Sequence, residues 1–239
     1  CCIAVGKALS KAKDIRAIIV TGAGRGCCSG IDLQAVAQDE IQPPWFREWE
    51  DTLRLFETMY DQALICGIHG VWIGGGLQFS LVWDMRIATD NAFFSLTAVR
   101  YSIIFGLGTV RLLRTVGLVC GRMLTLAAFR IRAKQALEWG LVDQVVKPKT
   151  LNTALASSAA MFICKAPSAF RESEKLLAQC YDLPYEGFLS AYLKGQQACL
   201  ASSDHKVASD AYLTKTAAIS VRRKRNLPAS PVLNGRGGS

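Results

Sequence analysis

The feature that most constrains how this chain folds is a long uncharged segment, residues 62–83, bounded by Asp61 and Asp84. A segment of this length could cross a lipid bilayer as one helix. Glycines and polar side chains interrupt it, however, and would leave such a helix broken and burdened with polar groups. They are Gly67, Gly70, Gly74, Gly75, Gly76, Gln62, His69 and Gln78. We therefore predict no membrane span, but a buried strand followed by a buried helix that starts at the three consecutive glycines.

Composition and patterning indicate a packed α/β protein. Of the 239 residues, 51% are hydrophobic and 20% are charged, and the mean hydropathy is +0.22, which excludes a largely disordered chain. Helical and extended patterns alternate up to Pro148, and helices broken at Pro167 and Pro184 follow. We predict an α/β core over residues 1–150, a helical region over 151–217 and a disordered basic tail over 218–239. Within the core, one strand is expected over 63–72.

An amphipathic helix is predicted after Pro43 and Pro44. Its apolar stripe, predicted to face the core, consists of Trp45, Phe46, Trp49, Leu53, Phe56 and Tyr60. The opposite, solvent-facing side is predicted to carry Arg47, Glu48, Glu50, Asp51, Arg54 and Glu57.

The charge distribution weakens the case for a polyanionic partner. The net charge is +9 and the pI is near 9.2, but residues 211–239 contain six basic and no acidic residues, so residues 1–210 carry only +3. The basic run at residues 222–225 leaves open a role in nucleic-acid binding, lipid binding or targeting. A solvated tail is favoured, because no aromatic residue interleaves the charges. We predict no nucleic-acid partner.

Cysteine and histidine usage argues against disulfides and metals. The nine cysteines form no C-x-x-C pair and no Cys/His cluster of zinc-site spacing. We predict reduced, mostly buried thiols in an intracellular, reducing compartment, whether mitochondrial, peroxisomal or cytoplasmic. His69 and His205 are too few for a metal site of the usual kind, and His69 is predicted to be a hydrogen-bonded core histidine rather than a catalytic one.

Two glycine-rich segments are the candidate functional regions. The first, TGAGRGCCSGIDL at residues 21–33, follows a predicted strand but has Cys27 where the dinucleotide fingerprint G-x-G-x-x-G requires its third glycine. The second, Gly74-Gly75-Gly76, lies at a strand-to-helix junction, where small residues let backbone N–H groups point into a cavity and stabilise an anion.

Together the two segments resemble the crotonase superfamily of enoyl-CoA hydratases and isomerases. AIIVTGAGRGCCSGIDL is similar to the family's strand, loop and first oxyanion segment, and GIHGVWIGGGLQFSLVWDMRIAT to its second. LTLAAFRIRAKQALEWGLVDQVV and APSAFRESEKLL resemble later family stretches, so the resemblance covers residues 1–217. SGIDL, NAFF and GLGT lean towards dienoyl-CoA isomerases. The family's opening strand hairpin, which helps to hold the CoA adenine, is expected to be missing.

The resemblance implies a crotonase-like β-β-α spiral core, a C-terminal helical trimerisation region and a homotrimer or homohexamer. It implies a lyase or isomerase that acts on an acyl-CoA thioester without a further cofactor. The thioester oxygen would lie between the backbone N–H groups of Ile31 and Gly75. The substrate-binding positions that it implies are Ser29, Gly30, Asp32, Gly74, Gly76 and Tyr101. For Asp32 we favour a helix N-cap.

The family's acid–base positions are substituted here. Hydratases carry glutamates at the positions of Gln78 and Ala98, and dienoyl-CoA isomerases carry an aspartate at the position of Gly106. None of these three side chains exchanges a proton near neutral pH. Three accounts remain open: a step that needs only enolate stabilisation, another side chain in the pocket, or a catalytically inactive acyl-CoA-binding or regulatory subunit. The candidates for another side chain are Asp32, Thr97, Arg100, Tyr101 and Ser102.

Overall fold

The computed structural model of the chain describes residues 2–12 and 14–215. They belong to two compact units, one running to Leu155 and the other starting at Ala156. The predicted tail, residues 218–239, lies outside the described residues.

Helices and strands alternate along the first unit, as predicted. The helices are α1 (Cys2–Lys11), α2 (Leu33–Ala37), α3 (Pro43–Glu57), α4 (Gly75–Ser80), α5 (Gly108–Thr125), α6 (Ala133–Glu138) and the start of α7 (Leu151–Ile163). The strands are β1 (Ala17–Thr21), β2 (Ala63–Ile68), β3 (Val71–Ile73), β4 (Met85–Thr89), β5 (Phe93–Ser95), β6 (Ile131–Arg132) and β7 (Gln144–Val146). Short 3₁₀ turns occupy Ala98–Tyr101 and Pro148–Thr150.

A four-stranded parallel sheet with the order β1-β2-β4-β7 forms the centre of this unit. Every residue of β2 is buried, which explains why its sequence is a continuous apolar run rather than an alternating one. The uncharged segment at residues 62–83 thus supplies β2, β3 and α4. Among the residues that the structure describes, no helix is both long and apolar enough to cross a membrane.

The single strand predicted over residues 63–72 is wrong, because the chain turns at Gly70. Gly70 has φ +59°, and a Cβ at this position would overlap the carbonyl oxygen of Arg25. Beyond this turn, β3 leaves the four-stranded sheet and pairs in parallel with β5, which pairs antiparallel with β6. The turn therefore begins a second sheet, and the first glycine-rich segment packs against it.

Aromatic rings pack α3 against α4. The ring of Phe56 lies 5.3 Å from that of Phe79 and 5.7 Å from that of Trp83, centroid to centroid. The prediction that the whole aromatic stripe of α3 faces the core is wrong at its start, since Trp45 and Phe46 are exposed. The core-facing side begins at Trp49 and includes the fully buried Leu53.

The second unit is helical, as predicted. It contains the remainder of α7, α8 (Pro167–Gln179), α9 (Tyr185–Leu200) and α10 (Ser203–Leu213). Pro167 is the first residue of α8 and Pro184 is the N-cap of α9. A backbone N–H at these positions would have no partner within the helix, so proline, which lacks the N–H, is tolerated there. The Ser202 side chain caps α10 by accepting from the His205 N–H.

Candidate active site

The two glycine-rich segments meet beside β3. The Cys28 N–H donates to the Val71 carbonyl at 3.1 Å, and the Ile73 N–H donates to the Cys28 carbonyl at 3.0 Å. This short pairing carries the chain directly to Gly30, where a Cβ would lie 3.3 Å from the Ile73 oxygen and 3.7 Å from the Gly74 Cα. The close approach therefore needs a residue without a side chain at position 30.

The residues predicted as oxyanion donors follow these two glycines. Gly30 has φ +97° and Gly74 has φ +55°, both in the region that favours glycine. Each turns the backbone immediately before Ile31 or Gly75. Gly75 is the first residue of α4, so no preceding helical carbonyl is available to its N–H. Both Ile31 and Gly75 are half-buried.

Gln78, at the first substituted acid–base position, has both ends of its amide engaged. It is 5% exposed. The Trp49 Nε1–H donates to Gln78 Oε1 at 2.8 Å, and Gln78 Nε2 donates to Glu50 Oε1 at 2.6 Å. These opposite partners fix the orientation of the amide, which can hold neighbouring groups but cannot transfer a proton.

The structure brings the position of Gly106 next to Gln78. A Cβ at residue 106 would lie 3.0 Å from Glu50 Oε1 and 3.7 Å from Gln78 Nε2. Ala98, the third substituted position, is the first residue of the 3₁₀ turn Ala98–Tyr101. The Tyr101 side chain, at the end of this turn, is exposed.

Glu50 is a site residue that the sequence patterns do not reveal. The prediction that Glu50 and Glu57 lie on a solvent-facing side of α3 is wrong, since their side chains are only 18% and 24% exposed. Both pair with Arg111 of α5, Glu50 Oε2 at 2.8 Å from Nη1 and Glu57 Oε1 at 2.6 Å from Nε. Their spacing puts both carboxylates on one side of α3, but nothing in the sequence indicates that α5 covers that side.

Arg111, Glu50 and Glu57 form a charged cluster in which the cation pairs with both carboxylates. Burial by itself would lower the pKa of the Arg111 guanidinium. The hydrogen bonds and charges of Glu57 and Glu50 outweigh burial and raise the pKa, so the cation stays charged. Glu50 Oε1 also accepts from the Leu107 N–H at 3.1 Å. Its carboxylate thus joins α3, α4 and the start of α5.

Three other predicted substrate-binding residues, Ser29, Asp32 and Gly76, belong to the two glycine-rich segments. Asp32 is exposed and caps α2, accepting from the N–H groups of Gln34 at 2.9 Å and Ala35 at 3.3 Å, as predicted. Ser29 is exposed, whereas Gly76 is buried where a Cβ would overlap Cys28 Cβ.

His69 has partners on both ring nitrogens. Nε2 lies 3.1 Å from the Gly24 carbonyl, which only accepts, so Nε2 donates. In a neutral ring, Nδ1 then accepts from the Cys27 thiol at 3.1 Å. These contacts satisfy the ring as predicted, but the placement in the core is wrong, since His69 is only half-buried.

The cysteines are less buried than predicted. The eight cysteines within the described part of the chain are free, but Cys66 alone among them is buried, so the expectation of mostly buried thiols is wrong. No group of three or more His, Cys, Asp or Glu side chains within the described part could hold a metal ion.

A sequence profile of the enoyl-CoA hydratase/isomerase family matches residues 2–218. The chain belongs to this family. It is 32% identical over 190 residues to (E)-benzylidenesuccinyl-CoA hydratase of Thauera aromatica, covering 75% of the chain and 72% of that protein. It is 35% identical over 185 residues to the mitochondrial Delta(3,5)-Delta(2,4)-dienoyl-CoA isomerase of Rattus norvegicus, covering 70% of the chain. The match covers only 55% of the rat protein.

Solved structures agree with this assignment. The enoyl-CoA hydratase of Bacillus anthracis superposes with a TM-score of 0.82 at 27% identity, covering 90% of this chain and 84% of that one. Pseudomonas aeruginosa DspI superposes with a TM-score of 0.84 at 25% identity, covering 93% and 85%. The crotonase-like fold is confirmed, and dienoyl-CoA isomerases are among the relatives of this family member.

Proposed function

We propose that this protein is an acyl-CoA-processing enzyme, a lyase or isomerase, that stabilises a thioester enolate with the backbone N–H groups of Ile31 and Gly75. The observation that carries the proposal is the close approach of Gly30 to Gly74. A Cβ added at Gly30 would lie 3.7 Å from the Gly74 Cα. Ile31 and Gly75 directly follow these two adjacent glycines. Their backbone N–H groups are therefore suited to donate hydrogen bonds to one oxygen. The CoA thioester is the substrate, and no further cofactor takes part.

The chemistry requires such a pair of donors. When a bond at the carbon next to a thioester breaks, negative charge develops on the thioester oxygen. Preorganised N–H groups at that oxygen lower the barrier, and removal of one donor typically costs about 3–4 kcal/mol. Main-chain donors also tolerate changes in the surrounding side chains. In this proposal, Ser29, Gly30, Asp32, Gly74, Gly76 and Tyr101 line the substrate site.

A second candidate is a catalytically inactive acyl-CoA-binding or regulatory subunit. Its support is the substitution of all three familiar acid–base positions by Gln78, Ala98 and Gly106. Such a protein would bind acyl-CoA esters without converting them. Measured turnover and binding distinguish the two candidates.

Replacing Gly75 by proline tests the oxyanion donor. Proline removes the N–H and is tolerated at the first position of a helix, and Gly75→Ala is the matched control because it keeps the N–H. A Cβ here would lie 3.7 Å from Trp49 Cζ2, an ordinary contact. We expect turnover by Gly75→Pro to be about 10² to 10³-fold below that of Gly75→Ala.

The measurement is steady-state turnover over enoyl-, dienoyl- and malonyl-type CoA esters, with acyl-CoA binding followed by calorimetry. Equal turnover by the two Gly75 variants would contradict the oxyanion role. Binding without turnover by the unmodified protein would favour the inactive subunit.

Assembly into a homotrimer or homohexamer is part of the proposal. Its support is a set of large apolar side chains on the second unit, each more than half exposed in the single chain: Leu177, Leu193, Leu200, Tyr212 and Leu213. We expect sedimentation equilibrium to give a mass three or six times the 26.0 kDa of one chain. The mass of a single chain would contradict the assembly.

A further inference from the structure

The two substituted acid–base positions that the structure brings together meet at one carboxylate. Glu50 Oε1 lies 2.6 Å from Gln78 Nε2 and 3.0 Å from the point where a side chain at residue 106 would begin. A carboxylate oxygen from α3 therefore occupies the space next to both positions, although neither position carries an acid of its own.

A chain of contacts connects this carboxylate with the proposed oxyanion donor. Gly75 and Gln78 are three residues apart on α4 and so lie on the same side of that helix. The Trp49 ring spans them, since its Cζ2 would lie 3.7 Å from a Cβ at Gly75 and its Nε1–H donates to Gln78. Glu50 follows Trp49 directly in the chain.

Glu50 remains accessible within this cluster. Its side chain is 18% exposed, so the carboxylate is in contact with solvent. Arg111 also contacts Glu57, so the cation keeps one carboxylate partner when Glu50 takes up a proton. The arrangement allows the charge of Glu50 to change without leaving Arg111 as an unpaired, largely buried cation.

We propose that Glu50 is the proton-transferring catalytic residue of this site, in an assignment that rests on the proposed function. The Glu50 carboxylate takes a proton from a carbon α or γ to the thioester carbonyl. The electron pair of the broken C–H bond forms the enolate, whose oxygen accepts from the N–H groups of Ile31 and Gly75. The carboxylic acid then returns this proton to another carbon in an isomerisation. In an exchange, the acid first trades its proton with solvent water and then delivers the solvent-derived proton to the same carbon.

The test is exchange of acyl protons for deuterium in D₂O, followed by mass spectrometry with butyryl-CoA, octanoyl-CoA and a 3,5-dienoyl-CoA as probes. Glu50→Gln keeps the size of the side chain but cannot transfer a proton. We expect it to slow exchange by about 10² to 10⁴-fold while acyl-CoA affinity stays within about threefold. Glu57→Gln is the matched control: it removes the other carboxylate of Arg111, and we expect it to slow exchange by less than about tenfold.

A second variant distinguishes a catalytic role of Glu50 from a purely structural one. Glu50→Gln/Gln78→Glu moves the carboxylate to the other end of the same hydrogen bond, and we expect it to regain at least about tenfold of the lost exchange. If Glu50→Gln exchanges as fast as the unmodified protein, or Glu57→Gln is equally slow, the role of Glu50 is overturned and the proposed function stands. If the unmodified protein converts CoA esters in the turnover assay but exchanges none of the probes, the role of Glu50 fails and the proposed function stands. If it neither converts the esters nor exchanges the probes, both fail.

Discussion

At the scale of single residues, glycines decide whether the site can form. Gly30 and Gly74 allow the two glycine-rich segments to approach each other. Gly70, at the turn before β3, likewise allows a close approach to Arg25. The Gly70 turn directs β3 along residues 27 and 28, which accept and donate the hydrogen bonds that align the first segment. Close packing at Gly70 is therefore a condition for the position of Ile31.

Gly70→Ala should destabilise the protein more than Gly24→Ala. Both residues have positive φ, +59° and +79°, so both alanines pay about 1–2 kcal/mol for backbone strain. A Cβ at Gly70 would also overlap the Arg25 oxygen, whereas nothing lies within 4 Å of one at Gly24. We expect a further loss of about 1–3 kcal/mol for Gly70→Ala, measured by urea unfolding. Equal losses would show that the contact with Arg25 does not constrain the turn.

At the scale of the elements, α3 shows where helical periodicity is and is not informative. Periodicity correctly predicts the helix and its buried residues Leu53 and Phe56. It cannot indicate that the opposite side is covered, because Arg111 lies on α5 and approaches α3 only in the folded chain. A charged helix face looks the same in a sequence whether it contacts water or a buried ion pair.

The short helices show the complementary case. The cap of α2 is predictable because Asp32 binds N–H groups only two and three residues away. The start of α4 at consecutive glycines is predictable for the same reason, since the signal is local. The split between β2 and β3 is not, because it depends on the packing of Gly70 against residues far away in the chain.

For the molecule as a whole, one buried thiol and one half-buried thiol connect stability with pH. Burial raises the pKa of the Cys66 thiol, with the nearby Cys27 acting in the same direction and Arg86 opposing. Partial burial likewise raises the pKa of the Cys27 thiol, against the opposing backbone hydrogen bonds of His69 and Gly22. Both thiols therefore hold their protons more tightly in the folded chain than in the unfolded one.

The free energy of unfolding should fall under alkaline conditions. Because the folded pKa values are raised, this contribution is intact below the ordinary thiol pKa of about 8.5 and is lost as the pH rises above it. Each such thiol contributes a slope of up to about 1.4 kcal/mol per pH unit. Urea unfolding between about pH 8 and about pH 10 should give a shallower fall for Cys66→Ala than for the unmodified chain. Cys180→Ala, which removes an exposed thiol, should not change the slope. An unchanged slope in Cys66→Ala would contradict this prediction.

Local features can be predicted from the residues alone: the alternation of helices and strands, the helix breaks at Pro167 and Pro184, the cap at Asp32 and the two glycine-rich segments. Each depends on residues close together in the chain, whose spacing or backbone preference specifies the structure. Family resemblance added the correct superfamily and directed attention to Gln78 and Gly106.

The surroundings of those two positions depend on tertiary packing. The contact of Glu50 with Gln78, and its approach to Gly106, join residues that are 28 and more positions apart. The packing of α3, α4 and α5 creates this neighbourhood, and it turns an apparently solvated glutamate into a largely buried carboxylate. Such proximity has no local sequence signal, because it arises when separate elements bury their apolar faces together.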